Sequence, residues 1–195
     1  FRQKYVWLFF LGIFCYVSTK QGTSIFMSTF LEQYHGVNPQ TDGAQAVSYF
    51  WGLMTTGCLV GMLLLKLIDS KRLLQISGVL TIVLLLSALF GSKGIALIAF
   101  PAVGFSISMM YSIVFSLALN SASQHHGSFA GILCSAIVGG AGGPMIVSTI
   151  ADATSLRTGM LFILVFVGYI TFIGFWARPL INNKTVKLKK LLKKA

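Results

Sequence analysis

The stretch YVWLFFLGIFCYVSTKQGTSIFMSTFL, residues 5–31, decides how the chain must be read. Its flanks are apolar enough for hydrocarbon, yet STKQGTS, residues 18–24, sets a lysine and a glutamine in the middle. The run is longer than the roughly 20 residues that a helix needs to cross a bilayer core. An ionised lysine at the centre of a spanning helix costs about 2.5–3.5 kcal/mol on insertion scales, so such a residue faces a bundle interior or a wet cavity. Gln21 and Ser24 extend the polar neighbourhood of Lys20, and Gly22 loosens the backbone there. The acids Glu32, Asp42, Asp69 and Asp152 all lie near or beyond the ends of apolar segments. A partner for Lys20 must therefore come from solvent, from a ligand or from another chain.

The rest of the chain agrees with a membrane setting. Of 195 residues, 55% are hydrophobic and 10% charged, against about a quarter charged in soluble domains. Six segments are long enough to span: Tyr5–Tyr34, Ala46–Ile68, Leu73–Phe90, Ile95–Leu119, Ser128–Ala151 and Thr158–Ala177. HGVNPQTDG, DSKR, GSKG, NSASQHHG and DATSLR separate them, with turn chemistry in each. The runs are too long for barrel strands and lack a two-residue alternation, so the spans are helices. Cys15, Cys58 and Cys134 fall inside apolar segments, as buried hydrophobes and not as disulfides or metal ligands. The chain opens on Phe1, and its first apolar run is too long for a signal-peptide core. It reads as a fragment.

The net charge of +11 does not point to nucleic acid, because seven of the fifteen Lys and Arg lie in the tail after Ala177 and no basic face alternates with aromatics. With the N-terminus inside, the cytoplasmic side gathers Arg2, Lys4, Lys66, Lys71, Arg72 and the tail, while Lys93 and Arg157 stay outside. Both termini are then cytoplasmic. Residues 1–181 form the membrane domain, and residues 182–195 a basic tail. Within the tail, VKLKKLLKKA places Leu188, Leu191, Leu192 and Ala195 on one helical face, as an interfacial helix or a solvated extension.

The six segments fall into two triplets. The first and fourth carry polar residues at mid-depth (STKQGTS, SISMMYS), the second and fifth carry glycines, and the third and sixth are plainly aliphatic. Three crossings invert the second triplet relative to the first, a pattern found within each half of major facilitator transporters. In the fifth segment Gly127, Gly131, Ser135, Gly139 and Gly143 recur every four residues, a stripe that admits another backbone. GGAGGP, ending on Pro144, weakens that helix locally and lets it bend. In the fourth, Ser108, Ser112, Ser116 and Asn120 share the same spacing, with Tyr111 beside them. A tyrosine hydroxyl at that depth needs a partner. Ring face and hydroxyls together suit a sugar.

FCYVSTKQGTS, SYFWG, SISMMYSIVFSLALN, GSFAGILCSAIVGGAGGP and IADA resemble the C-terminal half of the fucose/galactose/glucose–proton symporters, a family of the major facilitator superfamily. The resemblance runs through the first five segments, and its most specific part is the tyrosine motif leading into the glycine-rich helix. It implies one six-helix half of a twelve-helix fold, in the bacterial cytoplasmic (inner) membrane. It further implies transport of a monosaccharide with a proton. Tyr111 matches the tyrosine that the family uses at the sugar, in its tenth helix. Two departures stand out. The family usually has Gln or Glu where Lys20 stands, and its Tyr-Pro is Tyr-Ser here, so that Ser112 should leave the fourth helix straighter. The carboxylates tied to proton coupling belong to the family's N-terminal half.

The expected architecture is an all-α membrane protein of six spanning helices in an inverted three-plus-three repeat. The expected function is secondary active transport of a monosaccharide by alternating access, without cofactor or metal. The expected partners are the sugar, a proton, the lipid bilayer and a missing N-terminal six-helix half, with no nucleic acid. The candidate substrate-binding residues are Lys20, Gln21, Ser24, Trp51, Ser108, Tyr111 and Ser112. An intramembrane enzyme would need a nucleophile with a base, or metal ligands, at depth; the pair His125 and His126 lies in a loop and points apart. A non-transporting assembly subunit is the third alternative.

Overall fold

The computed structural model describes residues 3–121 and 126–177, and every regular element among them is helical. His125 and the basic tail lie outside the described residues. The first three spans are α1 (Gln3–His35), α2 (Ala44–Leu67) and α3 (Ser70–Phe90). The fourth comprises α4 (Lys93–Ile107) and α5 (Met110–Asn120). The fifth comprises α6 (His126–Ser135), a 3₁₀ turn (Ala136–Val138) and α7 (Gly139–Ala153), and the sixth α8 (Leu156–Leu161) and α9 (Ile163–Trp176). Five spans are both long and strongly apolar. The other, α1, has 33 residues, about 50 Å at 1.5 Å per residue, but its polar centre dilutes its hydropathy.

Local chemistry sets the boundaries. Gly36, at φ 60°, supplies the left-handed turn that ends α1, its N–H bonding the Glu32 carbonyl at 3.0 Å. Asn38 accepts from Gln40 N–H at 2.9 Å and opens the π-helical turn Pro39–Gly43 ahead of α2. Asp69 caps α3 by accepting from Lys71 N–H at 3.2 Å.

The fourth span corrects one expectation. Ser112 does not leave it straight, because the helix is interrupted just upstream, between Ile107 and Met110. Ser106 and Ser108 hydroxyls donate to the carbonyls of Val103 and Phe105, each 2.9 Å or less, and so compete with the helical ladder. Pro101 has already removed one donor from α4. The fifth span is interrupted too, by the 3₁₀ turn immediately before GGAGGP.

The spans pack as an inverted pair of triplets. The long α1 is the hub, touching α2 and every helix from α4 to α9. α2 packs on α4 as α7 packs on α1, α3 packs on α4 as α9 packs on α1, and α3 meets α9 where the triplets join. Exchanging the triplets therefore maps one set of contacts onto the other. Glycines make the close crossings. A Cβ at Gly57 would lie 2.5 Å from Ser108 Oγ and 2.9 Å from the Phe105 carbonyl oxygen, and one at Gly61 would lie 2.7 Å from Met109 Cε. On the other side, Gly139 abuts the Phe14 carbonyl and Gly143 abuts Ser18, whose hydroxyl donates to the Gly139 carbonyl at 3.0 Å. The glycine stripe is thus a packing surface at Gly139 and Gly143, while Gly127 and Gly131 meet nothing within 4 Å.

One end of the bundle is tied by Arg157. Its guanidinium carbon lies 4.5 Å from the Tyr34 ring centroid and 5.6 Å from that of Phe90, and its backbone N–H donates to the Tyr34 hydroxyl at 3.4 Å. α1, α3 and α8 meet there. Arg157→Ala should lower stability by about 1–2 kcal/mol, seen as a drop in melting temperature in detergent, and Arg157→Lys should recover part of it. Wild-type melting of the alanine variant would show that the stack is incidental.

Candidate functional site

The polar heptad of α1 faces α2 and α7 within the bundle. Ser18, Thr19 and Thr23 are fully buried, and Lys20 and Gln21 are half-buried. From α2, Trp51 reaches across: its indole N–H donates to Ser24 Oγ at 3.1 Å, and Lys20 Nζ sits 5.5 Å from its ring centroid. The hydrogen bond fixes the indole, and the indole face receives the ammonium. Gln21 lies toward α7, its Cγ 3.6 Å from where a Cβ of Gly140 would be.

Lys20 has no carboxylate beside it. Glu32 is twelve residues further along α1, roughly 18 Å at 1.5 Å per residue. Asp42 is in the π-helical turn, Asp69 caps α3, and Asp152 is in the last turn of α7. Among the described residues nothing forms an ion pair with Lys20, and its charge is met by the aromatic face alone.

One turn before Lys20, Tyr16 links α1 to the fourth span. Its buried ring lies 5.6 Å from Tyr111, which in turn stacks on Phe115 at 5.7 Å. An open hollow of about 510 Å³ runs along one face of α5, lined by Tyr111, Ser112, Phe115, Ser116, Leu119 and Asn120. It lies within the size range of small-molecule sites and combines aromatic faces with hydroxyl and amide groups. The wall runs from Tyr111 to the end of the span.

Six of the seven predicted residues thus fall into two neighbouring groups, joined by Tyr16: Lys20, Gln21, Ser24 and Trp51 in one, Tyr111 and Ser112 in the other. Ser108 is placed elsewhere. It is buried against Gly57 with its hydroxyl on the Phe105 carbonyl, and its own carbonyl accepts from Cys58 Sγ at 3.3 Å. The interruption at Ser108–Met109 takes it off the stripe that Ser112, Ser116 and Asn120 continue into the cavity. Tyr16, Phe115 and Leu119 escaped the sequence reading. Tyr16 alone carried a signal, as a second tyrosine one turn from a membrane-buried lysine.

The described residues hold no group of three or more His, Cys, Asp or Glu that could bind a metal ion; all three cysteines are free thiols, but only Cys15 is buried as expected, while Cys58 and Cys134 are exposed on the bundle surface. No family model matches the chain. Curated relatives do. The chain is 34% identical over 166 residues to the glucose/galactose transporter of Brucella abortus (strain 2308), covering 84% of this chain and 40% of that protein. It is 30% identical over 163 residues to the putative glucose/galactose transporter of Helicobacter pylori (strain ATCC 700392 / 26695), covering 83% of this chain and 40% of that one. The chain therefore spans about two-fifths of the length of the curated relatives it matches. Among solved structures, the E. coli fucose:proton symporter superimposes with a TM-score of 0.83 at 18% identity, over 89% of this chain and 43% of that one. A structure of the major facilitator transporter FucP in the outward conformation gives 0.80 at 17%, over 91% and 43%. The relatives named are transporters and not enzymes. Six helices paired by inversion, a polar first span and a tyrosine cavity on a broken fourth span all have their place in one architecture: the chain is a six-helix half of the major facilitator fold, resembling the glucose/galactose transporters and the fucose:proton symporter.

Proposed function

We propose that the chain is the C-terminal half of a proton-coupled transporter of a monosaccharide, of the fucose/galactose/glucose class, working by alternating access. It would sit in the bacterial cytoplasmic (inner) membrane with both termini cytoplasmic. The observation that carries this reading is the aromatic and hydroxyl-lined cavity at Tyr111, joined through Tyr16 to the polar centre of α1.

A monosaccharide presents CH faces and a rim of hydroxyls. Tyr111 and Phe115 offer stacking surfaces, while Ser112, Ser116 and Asn120 offer hydrogen-bonding groups along the same wall. Trp51, Ser24, Gln21 and Lys20 stand on the adjoining spans. Ser108 acts behind the wall, at the crossing of α2 and α4, and not on the sugar. The cavity descends toward the end of the span that the distribution of Lys and Arg assigns to the cytoplasm, so its wall forms a vestibule there. The interruption at Ser108–Met109 and the 3₁₀ turn before GGAGGP supply places where spans four and five can rebend around a fixed site. The N-terminal half would close the other side of the cavity and supply the carboxylates for proton coupling.

Removing the Tyr111 hydroxyl should cost about 1–3 kcal/mol of sugar affinity, by leaving a ligand hydroxyl unpaired once the N-terminal half covers the site. Calorimetry on the full-length transporter measures this. Tyr111→Phe binding the sugar as tightly as wild type would remove Tyr111 from the site.

A further inference from the structure

Among the described residues Lys20 is the single Lys or Arg in the interior of a span. Arg2 and Lys4 precede α1 or open it, Lys66, Lys71, Arg72, Lys93 and Arg157 stand at span ends, and the other seven are in the tail. No acid of the chain is near its depth, and its one close neighbour of opposite electrostatic character is the face of Trp51, 5.5 Å away. An indole face orients an ammonium but brings no formal negative charge, so the cation remains uncompensated within this half. Neutral sugar hydroxyls do not call for a cation; an amide or a hydroxyl serves them equally well. A carboxylate does call for one, and a charge-assisted hydrogen bond is about twice as strong as a neutral pair.

We propose that the transported monosaccharide carries a single carboxylate, as in a hexuronate, and that Lys20 is its counter-ion, with Trp51 holding the ammonium in place. This rests on the transporter reading above, and it moves the substrate from the neutral sugars named there to an acidic relative of them. A sugar phosphate fits less well. It carries close to two negative charges, and no second Lys or Arg lies at depth to share them.

The test is uptake by the full-length transporter in proteoliposomes, comparing galacturonate and glucuronate with galactose and glucose, for wild type, Lys20→Arg and Lys20→Gln. Wild type should take up at least one uronate with the higher kcat/KM. Lys20→Gln should lower the ratio of uronate to neutral-sugar kcat/KM by ~100-fold, the usual scale for removing one member of a buried charge pair, and Lys20→Arg should keep most of that ratio. The wild-type preference is itself decisive, so a poorly inserted variant does not rescue the idea. Uptake of neutral sugar in preference to every uronate would overturn this proposal and leave the transporter reading standing. An unchanged ratio in Lys20→Gln would also overturn it and leave an acid of the other half as the partner of Lys20. Uptake of neither class would overturn both readings.

Discussion

Gly143→Val should abolish the folded protein: after mild detergent extraction it should elute as aggregate, or not accumulate in the membrane. A Cβ at Gly143 would overlap the Cα, Cβ and Oγ of Ser18, and the neighbouring crossing at Gly139 is closed by the Phe14 carbonyl. Relief requires moving the backbone of α1, the helix on which nearly every other one packs. The cost should exceed about 3 kcal/mol, the upper end for overpacking that side-chain rotation can relieve. The control comes from the same stripe. Gly131→Ala, where the added atom meets nothing within 4 Å, should be neutral to within about 0.5 kcal/mol. Monodisperse Gly143→Val with wild-type melting would show that the α1–α7 crossing is looser than its geometry states.

The second large effect concerns the size of the working unit. Residues 1–195, reconstituted alone, should show no saturable monosaccharide uptake, whereas the full-length transporter should. The cavity on α5 has a wall on one side only, with Ser112 and Ser116 exposed. Lys20 is half-buried without an anion. In a lone bundle these faces would meet hydrocarbon, where unsatisfied polar groups each cost several kcal/mol. Supplying the N-terminal half as a separate chain should restore uptake. Saturable uptake by the isolated chain as a monomer would overturn the half-transporter reading.

The outline of this fold was legible because membranes are strict solvents. Each of the six apolar runs became a span, and turn residues at Gly36, Asn38 and Asp69 fixed ends that periodicity alone left one to three residues off. The inverted repeat was legible for a related reason. Polar groups are rare enough in hydrocarbon that STKQGTS and SISMMYS stand out as counterparts. The break at Ser108–Met109 was not. Serine sits in an unbroken helix or bonds its own carbonyls equally well, and the choice depends on α2 pressing Gly57 against Ser108. The meeting of Tyr16 with Tyr111 was hidden too. No local pattern tells which face of α1 meets a helix almost a hundred residues away. In the candidate site the rare side chains, lysine and the mid-depth tyrosine, announced themselves. The common ones that complete it, Phe115 and Leu119, read the same in a cavity wall as against lipid.

The reciprocal glycine crossings also order the birth of the protein. Span two cannot seat Gly57 until Ser108 exists, and α1 cannot seat Ser18 until Gly139 arrives, 121 residues later. At 5–20 residues per second of synthesis this is a delay of roughly 6–24 s. Within this half, α1 is therefore made first yet is among the last helices to be locked, and through that interval Lys20 has no α7 beside it. The sheltering of a half-assembled, charged helix falls to the insertion machinery, and a slower ribosome between codons 20 and 139 prolongs its exposure.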